Sequence, residues 1–242
     1  MVDIHSHILP SLDDGSGSLE ETLRMARMAV SSGIRHMAAT SHGNFYDYSL
    51  EDYKKVFQRA QTALTTEQIP LKLYPGMEIF LDEDAIFLLE KKELLSLNGT
   101  DYLLVEFDFE EQPQRAADRI RRLQKLGWRI VLAHPERYRF IQREPELARY
   151  LADEGCVLQI NGGSILGDFG GECEKAAELL LEEGLVGVIA SDAHDTEYRS
   201  PSAERISRFL ESFFDPAAVK LWLSENPSRI LKGYPVLDIR TI

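Results

Sequence analysis

The sequence predicts an α/β fold of seven consecutive strand–helix units, their parallel strands forming a barrel-like sheet. Three observations predict it. Apolar, strand-like runs alternate with helical patterns from end to end, and the strand ends fall near residues 5, 40, 78, 106, 134, 161 and 191, close to the ~30 residues that one βαβ unit needs. Runs such as Val157-Leu158-Gln159-Ile160 and Val186-Gly187-Val188-Ile189-Ala190 are mostly apolar, as parallel strands buried on both faces are. Side chains able to ligate metal recur at the strand ends, where a barrel enzyme collects its reactive groups.

The elements follow in order. Residues 2–5 read as the first strand. Ser18 and Glu21 have the spacing of a capping box, and Leu19, Leu23, Ala26 and Val30 recur at helical spacing until Gly33. Residues 34–40 form strand two, and 50–67 a helix closed by Ile69-Pro70. Residues 71–78 and a helix over 84–95 form the third unit, and 102–107 with a helix over 113–126 the fourth. Strand 129–134 precedes a helix over 144–154, and strand 157–161 a helix over 174–183. Strand 186–191 precedes a helix over 202–213, and Asp215-Pro216 opens a last short helix with Pro at the first helical position. Asn161-Gly162-Gly163-Ser164 reads as a loop. No linker or second domain is visible, so residues 1–242 are expected to form a single domain.

Composition narrows the function classes. A hydrophobic content of 44% is enough for a sizeable core. A net charge of −13 argues against a surface that grips nucleic acid or anionic lipid, and metal-binding carboxylates would account for part of it. Two cysteines, Cys156 and Cys173, make no disulfide framework and suggest a reducing cytoplasm. No apolar run reaches the ~18 residues of a membrane span, and a strand beginning at Val2 leaves no room for a signal peptide.

The candidate ligands are His5, His7, Asp14, His42, Glu78, Glu106, His134, Asp192 and His194. Each alone is weak, because a lone histidine at a strand end is commonly a polar terminus and an acid there commonly a cap. Asp13 and Asp195 fit that capping role, and His36, at the opposite strand end, reads as structural. Glu106 is preferred to Asp108 and Glu110 because it directly follows Leu103-Leu104-Val105. Mixed imidazole and carboxylate ligation suits Mn²⁺, Fe²⁺, Co²⁺ or Zn²⁺. Nine ligands exceed one ion's capacity, so two or three ions sharing a carboxylate are expected. Arg137 and Arg199, on loops at the same end, would welcome an anion; Arg139 is the neighbour to be distinguished from Arg137. Other schemes fail. Six positions after Cys156 comes Gly162 and after Cys173 comes Leu179, not the arginine of a cysteine phosphatase. There is no phosphate-binding glycine loop with lysine and no Gly-x-Ser-x-Gly elbow.

Asp3-Ile4-His5-Ser6-His7-Ile8-Leu9-Pro10 with Asp13-Asp14-Gly15, Ala39-Thr40-Ser41-His42, Pro75-Gly76-Met77-Glu78, Val105-Glu106-Phe107, Ala133-His134-Pro135-Glu136-Arg137 and Ser191-Asp192-Ala193-His194 together resemble the polymerase-and-histidinol-phosphatase (PHP) superfamily. Within it the chain is most similar to the bacterial manganese-dependent tyrosine-protein phosphatases encoded with capsule and exopolysaccharide genes. The resemblance implies a distorted (β/α)₇ TIM-like barrel with three ions, manganese before Fe²⁺, Co²⁺ or Zn²⁺. His5, His7, Glu78 and Asp192 would hold one ion, and Glu78, Glu106 and His134 the second, with Glu78 bridging. Asp14, His42 and His194 would hold the third, and Arg137 and Arg199 would bind phosphate. The implied substrate is phosphotyrosine on a membrane-associated bacterial tyrosine kinase. The expected chemistry is attack by a metal-bridging hydroxide without a phosphoenzyme. One departure stands out: where many relatives have Pro-His-His, this chain has Ser41-His42-Gly43. The competing expectations are a small-molecule phosphatase such as one for histidinol phosphate, an exonuclease, and a non-catalytic, metal-stabilised module that binds a kinase tail.

Overall fold

The computed structural model describes residues 1–241. Its strands are β1 (Val2–Asp3), β2 (His36–Ala39), β3 (Lys72–Pro75), β4 (Glu78–Phe80), β5 (Tyr102–Glu106), β6 (Arg129–Ala133), β7 (Val157–Asn161) and β8 (Val186–Ala190). All pairings between neighbouring strands are parallel, in two sheets ordered β1-β2-β3 and β4-β5-β6-β7-β8. Isolated parallel bridges join the two sheets, Ser6 to Ala193 just beyond β1 and β8, and His42, just beyond β2, to Glu78 at the start of β4.

The expected third strand is two strands. The break falls at Pro75-Gly76-Met77, where Pro75 has no N–H to give and the Gly76 amide donates to the Tyr53 hydroxyl instead of the ladder. The chain thereby leaves β2 and takes up pairing with β5, Glu78 opposite Leu104.

Helices α1 (Leu19–Ser31), α2 (Leu50–Thr66), α3 (Glu83–Glu90) and α4 (Pro113–Lys125) follow the expected order. Ser18 caps α1 through the Glu21 amide, but the Glu21 carboxylate pairs with Arg24 and Thr196, so only half of the expected box forms. The complete capping box is at α2, between Ser49 and Asp52. The fifth connection carries two helices, α5 (Arg139–Arg143) and α6 (Glu146–Asp153). The presumed loop at Asn161 is instead the start of a helical turn, α7 (Gly162–Ile165). There the Glu136 carboxylate accepts from the Asn161 amide and the Ser164 hydroxyl, a long-range cap no local pattern reveals. Then come α8 (Gly171–Glu182) and α9 (Glu204–Phe213). The last helix is longer than expected: α10 (Pro216–Lys220) runs through a π-helical turn at Leu221–Glu225 into α11 (Asn226–Ile230).

Strand alternation divides the core. Leu104, Val131, Val188 and Ala190 join Ile4, just past β1, and Ala38 of β2 in one buried cluster. Their neighbours Leu103, Val105, Ile130, Leu132 and Ile189 face the helices in another. The inner set turns polar towards the C-terminal strand ends, where Glu106 continues the face of Leu104, and Gln159 and Asn161 that of Val157. No described helix is long and apolar enough to cross a membrane.

Candidate metal centre

Strand ends and the loops just past them carry all nine candidate ligands to one place. The first and last strands are stitched together there: the Asp192 amide donates to the His5 carbonyl and the His7 amide to that of Ala193, at 2.9 and 2.8 Å. His134 and Asp192 adopt left-handed backbone conformations, φ 36° and 51°. Such strain costs about 1–3 kcal/mol per residue and persists where surrounding structure enforces it, commonly at functional sites. The Asp13-Asp14-Gly15 loop folds over His7, whose carbonyl accepts from the Ser16 amide at 3.0 Å. A Cβ on Gly15 would lie 2.2 Å from that carbonyl oxygen, so only glycine fits.

The ligand atoms form three overlapping groups. The Nε2 atoms of His5 and His7 lie 3.3 Å apart, and Glu78 Oε2 is 3.2 and 3.1 Å from them. Asp192 Oδ1 is 3.3 Å from His5 and 3.6 Å from His7. The other Glu78 oxygen meets His134 Nε2 at 3.0 Å, with Glu106 at 3.8 Å. Asp14 Oδ1 faces His42 Nε2 and His194 Nε2 at 3.5 and 3.4 Å. Members of the sets that the resemblance grouped thus lie near one another, while some of the tightest groups cut across those sets: His5 with His134 and Asp192, and His42 with Glu78 and Glu106. The structure also adds links: His42 Nδ1 lies 2.9 Å from Glu106, and His7 falls within 4.8 Å of Asp14, His42 and His194.

Side chains behind the ligands fix which ring nitrogens face inward. His5 Nδ1 donates to Gln159 Oε1 at 2.7 Å, since Gln159 gives its own amide hydrogens to Asn161 Oδ1. Asn161 in turn donates to Asp192 Oδ2 at 2.7 Å. His7 Nδ1 donates to Asp13 Oδ2 at 2.7 Å, and His194 Nδ1 to the Asp192 carbonyl at 3.0 Å. The Nε2 lone pairs are left to the centre, the arrangement metal-ligating histidines use. Asp192 Oδ1 and His194 Nε2 are buried without a hydrogen-bond partner. Acceptors converging with so few donors between them fit a cluster of divalent cations.

Several sequence expectations change here. Asp13 is not a helix cap; it is a buried carboxylate that orients His7 and accepts from the His42 amide. Asp195 does cap, but a turn: its carboxylate collects the amides of Glu197, Tyr198 and Arg199. Asp108 and Glu110, the acids passed over for Glu106, lie beyond the end of β5 and are exposed. His36 bonds Tyr74, away from the centre, and Arg139 is exposed beside Glu110. Gln159, Asn161 and Glu136 were missed. Polar residues at alternate positions of an otherwise apolar strand were the available signal for the first two. The Gly43 departure has a steric reason, because a Cβ there would press Met77 at 3.2 Å and Leu94 at 3.0 Å.

Charge is balanced locally. Burial favours a neutral His7 ring, yet the Asp13 and Glu78 carboxylates outweigh it and raise its pKa to about 10. His42 is likewise desolvated but pushed up to about 11 by Asp14 and Glu106. Burial would also raise Glu78 and Asp192, but His5 and its companions hold Glu78 well below the usual carboxylate range, and His5 and Arg199 lower Asp192. Burial and the nearby His7 lower His194. Acids and imidazoles thus hold one another charged where cations would otherwise sit.

Arg137 and Arg199 border the same cleft, which has about 310 Å³ of accessible space. Both guanidinium groups reach Asp192 Oδ2, Arg137 at 3.6 Å and Arg199 more closely. Arg137 also lies 4.5 Å from the Phe109 ring and 4.9 Å from that of Phe169, cation–π contacts that hold it at the rim.

Comparison with known proteins places these features in context. A family profile described as capsular polysaccharide synthesis, CpsB/CapC, matches residues 1–232. The chain is 37% identical over 238 residues to the tyrosine-protein phosphatase YwqE of Bacillus subtilis, covering 98% of this chain and 93% of that one. It is 31% identical to the tyrosine-protein phosphatase CpsB of Streptococcus pneumoniae, covering 96% and 98%. A crystal structure from work on YwqE and CpsB as metal-dependent tyrosine phosphatases superposes with a TM-score of 0.90 at 36% identity, covering 98% of this chain and 96% of that one. At 11% identity, a phosphotriesterase homology protein from Escherichia coli shares the fold, with a TM-score of 0.63 and coverage of 95% and 98%.

Gly15→Ala is expected to lower metal content, read by elemental analysis of purified protein, because the Asp13-Asp14 loop must lift off His7. Full metal content in this variant would show that the loop adapts. In metal-free protein at pH 7.5, His7 and His42 are protonated, since their pKa values lie near 10 and 11. Ligation needs neutral rings, so Mn²⁺ binding should release protons into weakly buffered solution. Apparent affinity should rise with pH by about tenfold per unit for each proton displaced. Binding with no proton release would contradict this arrangement.

Proposed function

The chain belongs to the CpsB/CapC family of capsular polysaccharide synthesis, and we propose from that premise that it is a metal-dependent tyrosine-protein phosphatase. The observation carrying this reading is the meeting of nine imidazole and carboxylate side chains with two arginines at one cleft. In our reading the two sheets form one distorted (β/α)₇ barrel with the centre at the C-terminal ends of its strands. His5, His7, Glu78 and Asp192 would hold one ion, Glu78, Glu106 and His134 a second, and Asp14, His42 and His194 a third, manganese being our first choice. Bound divalent cations supply Lewis acidity and activate water near neutral pH.

The chain's own groups do the rest. Arg137 and Arg199 bind the phosphate oxygens with the donors that Asp192 leaves free and offset charge as the ester bond breaks. Gln159, Asp13 and the Asp192 carbonyl hold the Nδ1 atoms of His5, His7 and His194, so that each ring turns its Nε2 inward and offers a lone pair there once it is neutral. A tyrosyl leaving group has a pKa of ~10 and needs little help from a general acid. No thiol competes: burial pushes Cys156 up to about 12 and raises Cys173 also, so both stay neutral. We place the reaction in the cytoplasm, on phosphotyrosine of a membrane-associated kinase tied to capsule export.

Purified protein with added Mn²⁺ is expected to release phosphate from a phosphotyrosine peptide, and to stop after chelation. Arg137→Ala should lose roughly 10²–10³-fold in turnover with metal content unchanged, as for removal of one charge-stabilising donor. Faster turnover of histidinol phosphate than of the peptide would favour a small-molecule phosphatase. No metal-dependent hydrolysis of either would favour a binding module.

A further inference from the structure

The cleft beside the metal centre carries aromatic side chains, of which only Phe109 has been given a part in the phosphate chemistry, through Arg137. Phe45 is 64% exposed and Phe109 40% exposed, both lining the cleft with Tyr46 and Phe80. They form two groups. Phe45 lies 6.0 Å from His42 and edge-on to Phe80 at 5.5 Å, while Tyr46 stacks on His42 at 5.6 Å. Phe109 stands edge-on to His134 at 5.9 Å, and Arg137 lies over its face. The two histidines so flanked are bridged by carboxylates, His42 to Glu106 at 2.9 Å and Glu106 to His134 at 3.8 Å.

The Phe45 wall is built rather than accidental. Asn44 donates to the Phe80 carbonyl at 2.8 Å and accepts from the Phe80 amide at 3.0 Å. This two-way clamp ties the loop to β4 and fixes where the next residue points. A large apolar side chain held in water at the mouth of a polar site is an unfavourable arrangement that a ligand's apolar face can relieve.

We propose that these residues form an aryl slot, with Phe45 a specificity-determining residue that takes the phenyl ring of phosphotyrosine and so selects aryl over alkyl phosphates. The inference rests on the phosphatase reading and extends it to substrate choice. Arg137 and Arg199 line the same cleft as Phe45, Tyr46, Phe80 and Phe109, so a phosphate on the arginines would have its ester substituent within reach of these rings. A phenyl ring there meets other rings in offset or edge-on contact, which an alkyl chain cannot reproduce. Phosphoserine, with its shorter side chain, would have to bring its main chain in among the rings to deliver its phosphate.

The test compares wild type, Phe45→Ala and Phe45→Trp, each loaded with Mn²⁺ and assayed for metal content. The substrate is a phosphotyrosine peptide, and inorganic phosphate, as competitive inhibitor, is the probe without a ring. Phe45→Ala is expected to raise the peptide KM about tenfold, leave kcat within about threefold, and leave phosphate inhibition within about twofold, with Phe45→Trp restoring the peptide KM. An unchanged peptide KM overturns the slot. So does a parallel weakening of peptide and phosphate, which would mean that the loop only supports the centre. A wild-type protein that hydrolyses no phosphotyrosine overturns the parent reading and the slot with it; activity in wild type with an indifferent Phe45→Ala removes the slot alone.

Discussion

Four carboxylates and five imidazoles are packed at one end of two parallel sheets, most of them out of reach of water, and this crowding is what the rest of the structure must accommodate. Like charges so close repel strongly in a medium of low polarity, and each acid is tolerable only with positive charge beside it. Without metal, the imidazoles of His7 and His42 supply that charge by staying protonated far above their usual range. With divalent cations the same atoms become ligands. The site is therefore satisfied in either state, and protons and metal compete for it.

Keeping the ligand atoms aimed inward takes a second layer, and that layer reaches across the whole assembly of strands. One chain of amide hydrogen bonds runs from His5 through Gln159 and Asn161 to Asp192, tying β7 to residues flanking β1 and β8. Asp192 then meets both arginines, so the groups proposed to bind metal and phosphate share a carboxylate. Glu136, between a candidate ligand and Arg137, fastens that turn to the start of α7. These links favour a rigid, preorganised site, in which charge stabilisation needs little rearrangement during reaction.

The order of strands and helices was legible because parallel strands buried on both faces leave long apolar runs, and helices leave caps and glycine stops. What misled was local. The break at Pro75-Gly76-Met77 and the helical turn at Gly162 depend on partners distant in sequence, Tyr53 in one case and Glu136 in the other. Asp13 has the sequence position of a cap, since acids after strands commonly cap helices, but its partner is His7, six residues away across a tight loop. The aromatic residues at the cleft were invisible as a group, since the loops after β2 and β5 and the end of β4 contribute them.

The sequence by itself determined the parallel α/β class, the strand ends at which ligands accumulate, and the identity of nine candidate ligands and two arginines, because these depend on residue type and on periodicity along the chain. Only the tertiary structure decided which nitrogen of each imidazole faces the centre, how the ligands divide among neighbouring groups, and which side chains orient them. Those properties are set by distances between residues far apart in the chain, and neither spacing nor composition encodes such distances.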